Sequence, residues 1–298
     1  MITKEIDGLI ARALKEDMPR GDITSESLFP PSLLARAVLT AKGHGVLAGL
    51  DVFTRVFRLL NPGTSVNRLL GDGQVFEPGD ILAEVEGKAV VLLEGERTAL
   101  NFLQRLSGIA TTTRRFVDAV AGTKAVILDT RKTTPGLRAL EKYAVRMGGG
   151  QNHRPDLSSM ALIKDNHLAV ARDLAAAVRR VRKNIKKAVL VEVEVTNLTQ
   201  AKTALAAGAD WIMLDNMAPA DMRRAVALIG DRAKVEASGN VSLDNVRAIA
   251  RTGVDYISVG TLTHSFTSAD LSLEFIGRLG RSRNRLSIPA QRRGMERS

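Results

Sequence analysis

The second half of the chain repeats a short apolar run followed by a segment with helical spacing, and this rhythm restricts the fold more than any other feature. Four of the apolar runs begin at residues 189, 211, 234 and 256, so successive starts lie 22, 23 and 22 residues apart. That spacing has room for a strand, a turn and a helix that returns the chain to the next strand. Strands joined in this way lie parallel in one sheet.

Two copies of the repeat are nearly the same phrase, AGADWIMLD at 207–215 and TGVDYISVG at 252–260, each with a glycine suited to a helix end before a buried strand. Six apolar runs are predicted to be strands: 126–128, 161–163, 189–195, 211–214, 234–237 and 256–259. Helices are predicted between them at 174–181, 198–207, 219–229 and 243–251. Six such units favour an α/β protein with a β/α barrel, and a doubly wound sheet is the alternative.

The first third of the chain lacks this rhythm and is predicted to form a separate layer of helices and strands. Helical spacing covers 2–16 and 51–60, and short strands are predicted at 35–40, 45–48, 66–70 and 81–86. A long helix at 91–121 leads from this layer into the repeats.

The chain carries a net charge of +11, which suits either a nucleic acid or a small anionic substrate. Much of the excess lies in the last stretch, 280–298, which holds six arginines and one glutamate and is predicted to be a flexible basic tail. Aromatic side chains that could stack on bases are few, so we expect no nucleic-acid partner. No apolar run reaches membrane length, no secretory signal is recognisable, and there is no cysteine, which together favour a cytoplasmic protein without a membrane partner.

Polar residues or glycines follow every predicted strand of the repeat. Active sites of β/α barrels lie at the carboxyl ends of the strands. Segments 129–136 and 164–167 follow the first two strands, and the other four strands end in 192–194, 214–216, 236–240 and 259–261. One charged strand end is easily a structural ion pair, but six at one end of a sheet indicate a functional site, because buried charges are costly without partners.

The cations at these ends predict an anionic ligand. Arg131, Lys132 and Lys164 would converge at the barrel mouth, and the loop at 148–154 adds His153 and Arg154. Such a cluster repels itself unless an anion neutralises it. Arginine suits planar carboxylates, and lysine suits phosphate or carboxylate.

The acids and glycines at the same ends predict a sugar phosphate. Glu192 and Glu194 share one face of their strand, and Asp215 ends the next strand. Such acids can hold ribose hydroxyls, bind Mg²⁺ or face a developing positive charge. Ser238-Gly239-Asn240 and Gly260 follow late strands, where barrels usually bind phosphate. Of the other histidines, His44 and His264 are expected to be structural, and no histidine pair has zinc-site spacing.

These motifs together resemble those of the quinolinate phosphoribosyltransferases. The matching segments are TRKTTPG at 130–136, GGGQNHR at 148–154, LIKDNH at 162–167, VEVEV at 191–195, MLDN at 213–216, EASG at 236–239 and SVG at 258–260, with two N-terminal segments at 16–24 and 96–101. The resemblance extends to about Leu273, and the basic tail lies beyond it. Asn240 stands where glycine is also common in the family.

The resemblance implies a reaction, a fold and an assembly. The reaction takes quinolinate and phosphoribosyl pyrophosphate, with Mg²⁺, to nicotinate mononucleotide, pyrophosphate and CO₂, a step of NAD biosynthesis. The fold is an open β/α barrel at 109–269 with an α/β-sandwich domain at 1–108, completed at about 270–280 by the last helices. The assembly is a homodimer in which one subunit's sandwich covers the other's barrel mouth.

The resemblance also implies residue roles. Quinolinate would be bound by Arg97 from the partner subunit, Arg131, His153, Arg154 and Lys164. Phosphoribosyl pyrophosphate would be bound by Thr130, Lys132, Glu194, Asp215, Ser238, Gly239, Asn240 and Gly260. The catalytic residues would be Lys132, Lys164, Glu194 and Asp215. No metal ligand is assigned, because Mg²⁺ is expected to arrive on the pyrophosphate, near Glu194 and Asp215.

Three other functions fit parts of the sequence. A relative with the same fold, such as the protein found with molybdenum-transport genes, would use a different substrate. A Schiff-base aldolase could use Lys164 or Lys132, although the neighbouring arginines favour anion binding. A basic nucleic-acid-binding protein would account for the net charge.

Overall fold

The computed structural model of the protein describes residues 2–278, which form an N-terminal α/β layer and a β/α barrel. The basic tail predicted at 281–298 lies outside the described residues. Among the described helices, none is both long and apolar enough to cross a membrane.

The N-terminal layer alternates short helices with antiparallel strands. Its helices are α1 (Lys4–Asp17), α2 (Ile23–Leu28) and α3 (Leu50–Leu60). Its strands are β1 (Leu34–Ala41), β2 (Gly45–Val46), β3 (Ser65–Arg68), β4 (Val75–Phe76) and β5 (Ile81–Lys88). The 31-residue helix α4 (Ala89–Ala119) then packs on α3 and leads into the barrel.

The barrel follows, and one strand returns to the N-terminal layer. The barrel strands are β6 (Val126–Leu128), β7 (Ala161–Ile163), β8 (Val191–Val195), β9 (Trp211–Asp215), β10 (Lys234–Ser238) and β11 (Tyr256–Ser258). The helices are α5 (Arg138–Met147), α6 (Asp165–Ala171), α7 (Leu174–Asn184), α8 (Leu198–Ala206), α9 (Pro219–Ile229), α10 (Val246–Ala250) and α11 (Thr261–His264). The returning strand is β12 (Leu271–Arg278).

Strand β12 completes the N-terminal sheet, whose order is β12-β1-β5-β3. It runs antiparallel to β1, with Leu273 opposite Leu39. The prediction that the last helices complete this layer was wrong for the described residues, where a strand does so. Leu271 and Leu273 are buried at a spacing of two residues, which is the period of a strand with one face on a core.

The barrel sheet is parallel and open. Its strand order is β6-β11-β10-β9-β8-β7, so β6 and β7 are its two edges. Beyond β6, a single bridge from Leu128 adds Gln151 to that edge. The predicted open β/α barrel is confirmed, and the doubly wound alternative is excluded by this strand order, which runs in one direction from β7 to β11.

A carboxylate in each copy of the repeated phrase joins neighbouring strands. The side chain of Asp210 accepts a hydrogen bond from the backbone N–H of Val191 at 2.7 Å, and that of Asp255 accepts one from Val235 at 2.9 Å. The backbone N–H of each aspartate donates in turn to the carbonyl of the same partner residue. Each repeat therefore fixes the start of a neighbouring strand.

Alternation along the strands separates the core from the barrel interior. In β8, Val191, Val193 and Val195 are fully buried against the surrounding helices. Glu192 and Glu194 lie between them and face the other way, into the barrel. By the same alternation, Met213 and the acidic and hydroxyl side chains of β9 to β11 point into the interior. The sheet therefore sets the direction in which the side chains of the site point.

Candidate active site

A cavity of about 790 Å³ opens at the carboxyl ends of the barrel strands. All but one of the residues predicted to bind substrate line it, namely Thr130, Arg131, Lys132, His153, Arg154, Lys164, Glu194, Asp215, Ser238, Gly239, Asn240 and Gly260. The exception is Arg97, which is exposed on α4 and does not line this cavity. Residues that the sequence separates by more than 100 positions therefore meet at one place.

The loop after β10 packs closely on the loop after β9. Gly239 has φ +90°, and a Cβ on it would lie 2.3 Å from Asn216 Oδ1, so no side chain fits there. Asn216 and Asn240 are also left-handed, with φ 53° and 48°. Asn240 Nδ2 donates to Asn216 Oδ1 at 2.9 Å, which locks the two loops together. Left-handed backbone of this kind exposes N–H groups to an anion.

The loop after β11 approaches a lysine and a histidine. A Cβ on Gly260 would lie 3.1 Å from Lys132 Cδ and 3.1 Å from His264 Nε2. Thr263 Oγ1 donates to the carbonyl of Lys132 at 2.8 Å, which ties the loop after β6 to helix α11. The expectation that His264 is only structural was incomplete, because His264 lines the cavity. Its place depends on a four-residue helix that the sequence did not predict.

Two arginines lie close together on one side of the cavity. The pKa of Arg154 is lowered, first by burial and then by the positive charge of Arg131. Arg154 Nη1 donates to the carbonyl of Met160 at 2.9 Å, while Arg131 Nε is buried without a partner among the described residues. Both guanidinium groups therefore have donors left for an anion.

An ion pair crosses the cavity mouth from β7 to β8. Lys164 Nζ lies 3.2 Å from Glu194 Oε2, and the lysine side chain is 45% exposed. The lysine lies at the strand end, next to solvent, and is already paired. Because solvent screens the pair from the lysine side, Lys164 can turn to an arriving ligand, while Glu194 stays largely buried, with 12% of its side chain exposed.

A buried aspartate positions the loop that carries His153. Asp129 follows β6 and accepts hydrogen bonds from Lys142 Nζ, from the backbone N–H of His153 at 2.9 Å and from Asn152 Nδ2 at 2.5 Å. Burial raises the pKa of Asp129 and lowers that of Lys142, and their ion pair opposes both shifts. The sequence did not predict Lys142, because it comes from the interior of α5.

A buried cluster of His153, Glu192 and Glu236 lies at the floor of the cavity, where His153 and Glu236 line it and Glu192 lies behind them. His153 Nε2 lies 2.9 Å from Glu192 Oε2 and 3.5 Å from Glu236 Oε2. Burial raises the pKa of Glu192 to about 7 and that of Glu236 to about 8, and the negative charge of Glu192 adds to the second shift. Burial also lowers the pKa of His153. The rings of Trp211 and Tyr256, which pair in the sheet with Glu192 and Glu236 respectively, stack at 4.4 Å.

The donor atoms of this cluster lie within 4.8 Å of one another, a spacing that a metal ion could also use. However, Arg154 and Lys164 already place positive charge beside Glu192, and Lys142 and Arg154 do so beside His153. These neighbouring positive charges disfavour a divalent cation at the cluster. A single bound proton is consistent with the raised pKa values of the two carboxyl groups.

The two halves of the cavity suit two different anions. Arginines, a lysine and a histidine come from the edge strands β6 and β7, while acids and left-handed loops come from β8 to β11. Planar donors match a carboxylated ring, and the loops and acids match a phosphate joined to a sugar. This combination defines an α/β-barrel transferase that joins a phosphorylated sugar to an acidic acceptor, which is the class of the barrel phosphoribosyltransferases.

Comparison with known proteins gives the family. The model of the quinolinate phosphoribosyl transferase C-terminal domain matches residues 109–274, and that of its N-terminal domain matches 22–107. The chain therefore belongs to the quinolinate phosphoribosyltransferase family, and the prediction of family and enzyme class from the sequence motifs is confirmed.

Individual relatives agree over most of the chain. A Mycobacterium leprae (strain TN) nicotinate-nucleotide pyrophosphorylase (carboxylating) is 44% identical over 89% of this chain and 95% of its own. A Bacillus subtilis (strain 168) protein, named probable nicotinate-nucleotide pyrophosphorylase (carboxylating), is 43% identical over 91% of this chain and 93% of its own. The crystal structure of NadC from Streptococcus pyogenes is 41% identical, with a TM-score of 0.91 over 94% of this chain and 99% of that one.

Proposed function

We propose that this chain transfers phosphoribosyl from phosphoribosyl pyrophosphate to quinolinate and releases CO₂, giving nicotinate mononucleotide and pyrophosphate. The observation that carries the proposal is the division of one cavity into a cationic half and a half of acids and phosphate-type loops. It agrees with the family to which the chain belongs.

The cationic half binds the ring. Quinolinate has two adjacent carboxylates, and Arg131 and Arg154 offer planar donors while Lys164 offers a point charge. When a carboxylate displaces Glu194 from Lys164, the ligand neutralises the lysine and releases the acid toward the sugar. Binding of the ring therefore prepares the cationic half and the acidic half of the site in the same step.

The acidic half binds the sugar phosphate. Glu194 and Asp215 hold ribose hydroxyls, and the loops at Ser238–Asn240 and Gly260 hold the 5′-phosphate. As pyrophosphate leaves, the ribosyl carbon becomes positive, and fixed carboxylates beside it lower the barrier. Lys132 lies beside Gly260 and neutralises phosphate charge. Much of the remaining rate gain comes from holding ring nitrogen and ribosyl carbon in line, since ordering of two reactants is worth up to about 7–11 kcal/mol.

Magnesium enters as part of the substrate. Mg²⁺ keeps several waters and is usually bound through substrate phosphates and one or two carboxylates. Glu194 and Asp215 offer carboxylate oxygens on the sugar-phosphate side of the cavity, apart from the cluster of His153, Glu192 and Glu236, and this suits an ion carried by the pyrophosphate. The predicted cytoplasmic location and the absence of a nucleic-acid partner remain predictions.

A homodimer completes the site in this proposal, with Arg97 supplied by the partner subunit. Arg97 is exposed and does not line the cavity of its own chain, which supports a role in another subunit. Arg97→Ala and Lys164→Ala should each be nearly inactive. Mixed after joint refolding, they should regain about a quarter of wild-type activity, because half of the random dimers contain one intact site. No recovery in heterodimers confirmed by mass spectrometry would contradict the exchange.

The reaction itself is tested by measuring pyrophosphate and mononucleotide together. Purified protein with Mg²⁺ and phosphoribosyl pyrophosphate is given either quinolinate or nicotinate. We expect turnover with quinolinate only, and its loss in Arg131→Ala. Arg36→Ala, in the N-terminal sheet, is the matched control and should retain activity. Turnover with neither acid in folded protein would refute the proposed substrate and direct the search to the related transferases of the same fold.

A further inference from the structure

The carboxyl pair on the cavity floor has no part in the binding roles given above. Glu192 and Glu236 are fully buried, and three of their four oxygens have no hydrogen-bond partner among the described residues: Glu192 Oε1, Glu236 Oε1 and Glu236 Oε2. His153 Nε2 is the group that approaches both. Two bare carboxylates cannot be held this close in the interior of a protein, so the pair must hold a proton.

The surroundings of the pair decide where the proton resides. Glu192 is faced by Arg154 and Lys164, which favour its ionised form, and by Glu194. Glu236 is faced by Glu192, by His153 and by the hydroxyl of Ser258. The positive charges of Arg154 and Lys164 therefore stabilise the ionised form of Glu192, and the proton resides on Glu236.

Glu236 also lies where the reaction needs an acid. It lines the cavity, two residues before Ser238 of the phosphate loop. Through Met213, its neighbour in the sheet, it is level with Glu194. The carboxylate that is lost stands on the ring carbon beside the ring nitrogen, close to where ring and ribose join. In the proposed binding mode, a group level with Glu194 and two residues below Ser238 in the barrel interior lies next to that junction.

Resting on the proposed function, we propose that Glu236 donates the proton that replaces CO₂ on the ring. The bond between the ring carbon and its carboxylate breaks reversibly into CO₂ and a carbanion beside the positive ring nitrogen, and the carbanion recaptures CO₂ unless it is protonated. That carbon takes the proton of Glu236, which becomes a carboxylate. Glu192 and His153 act as positioning residues that hold the proton on Glu236, and solvent returns the proton after the product has left.

The other cavity acids suit this step less well. Glu194 is paired with Lys164, and both Glu194 and Asp215 are needed as carboxylates opposite the positive ribosyl carbon. A bound ring covers the floor from solvent, so water reaches the ring carbon poorly. The proton source is then a neutral acid below the ring, which Glu236 provides.

The test separates the two halves of the reaction. Glu236→Gln keeps the shape and neutrality of the protonated side chain but removes the acidic proton. In single turnovers we expect pyrophosphate release to stay within about fivefold of wild type, while CO₂ release slows by about 100-fold or more, the range of a lost general acid. The carboxylated mononucleotide should accumulate and be seen by mass spectrometry. Glu236→Asp, which retains an acid, should restore part of the CO₂ release.

Two comparisons make the result decisive. Glu194→Gln should show the opposite split, with pyrophosphate release slowed and CO₂ release following it. If Glu236→Gln is folded but releases CO₂ in step with pyrophosphate, or loses both equally, the inference is overturned. Failure of the wild-type protein to release pyrophosphate with quinolinate would instead overturn the proposed function.

Discussion

The buried carboxyl pair makes a prediction about stability that does not depend on the reaction. Glu236 has a pKa of about 8 in the folded protein against 4.5 for a free side chain, because burial disfavours its charge. Between these values the folded state binds a proton that the unfolded state has released. The free energy of unfolding must therefore fall as the pH rises from about 4.5 to 8. The stabilisation from this proton is fully present below about pH 4.5.

The size follows from the shift. About 3.5 pKa units at about 1.36 kcal/mol each give an upper value of ~5 kcal/mol. Glu192 competes for the same proton, so removing Glu236 relieves only part of this cost. We expect Glu236→Gln to abolish about 2 kcal/mol of the loss in unfolding free energy that wild type shows between pH 5 and pH 8. Urea denaturation at both pH values, at one protein concentration and salt, measures the difference.

Glu84→Gln is the matched control. Glu84 lies in the N-terminal sheet, where its pKa is lowered by a hydrogen bond from Arg36 at 2.7 Å. A lowered pKa stabilises the protein above about 4.5 and ceases to do so as the pH falls through the folded value. Glu84→Gln should thus lower the free energy of unfolding at pH 8. The decrease in that free energy between pH 5 and pH 8 should be as large as in wild type. Equal pH dependence in wild type and Glu236→Gln would refute the assignment of a proton to Glu236.

Three further perturbations have defined outcomes. Gly239→Ala should lower stability by about 1–3 kcal/mol and raise the KM for phosphoribosyl pyrophosphate more than that for quinolinate, because a Cβ meets Asn216 and the φ is left-handed; an unchanged KM would contradict this. Asp210→Ala should cost about 1–3 kcal/mol in urea denaturation, since the N–H of Val191 loses its acceptor; no loss would show that water replaces it. Truncation after Leu279 should abolish heparin binding while kcat/KM with quinolinate is retained; binding that survives would indicate a polyanion site in the body of the protein.

The barrel could be predicted from sequence because its signal is local. Each strand is a short apolar run before a polar end, and β6, β7 and α9 begin and end where predicted. Strand β12 was not predicted, because its partner β1 lies more than 200 residues earlier and only Leu271 and Leu273 mark its alternation. Short helices such as α6 and α11 depend on neighbouring loops for their ends and carry little pattern of their own.

The site divides in the same way. Residues at strand ends, such as Arg131 and Asp215, could be assigned to the cavity because the fold puts all such ends on one side. The contact between Glu192 and Glu236 could not, since alternation shows which way each side chain points but not that β8 and β10 flank the same strand, β9. Lys142 was missed for a similar reason. A lysine within a helix is expected to be solvent-exposed, and the sequence does not show that its partner is the buried Asp129.

The open sheet has a consequence for how such a site can change. The residues proposed to hold the sugar phosphate lie mainly on β9, β10 and β11, each hydrogen-bonded on both sides. The cations proposed to bind the ring lie after β6 and β7, the two edge strands. Insertions or altered loops at the edges disturb few strand neighbours, so the acceptor half can diverge while the phosphoribosyl half is kept. An open barrel thus allows one donor chemistry to be joined to new acceptors, and directed evolution of acceptor choice should find its first mutations along the seam between β6 and β7.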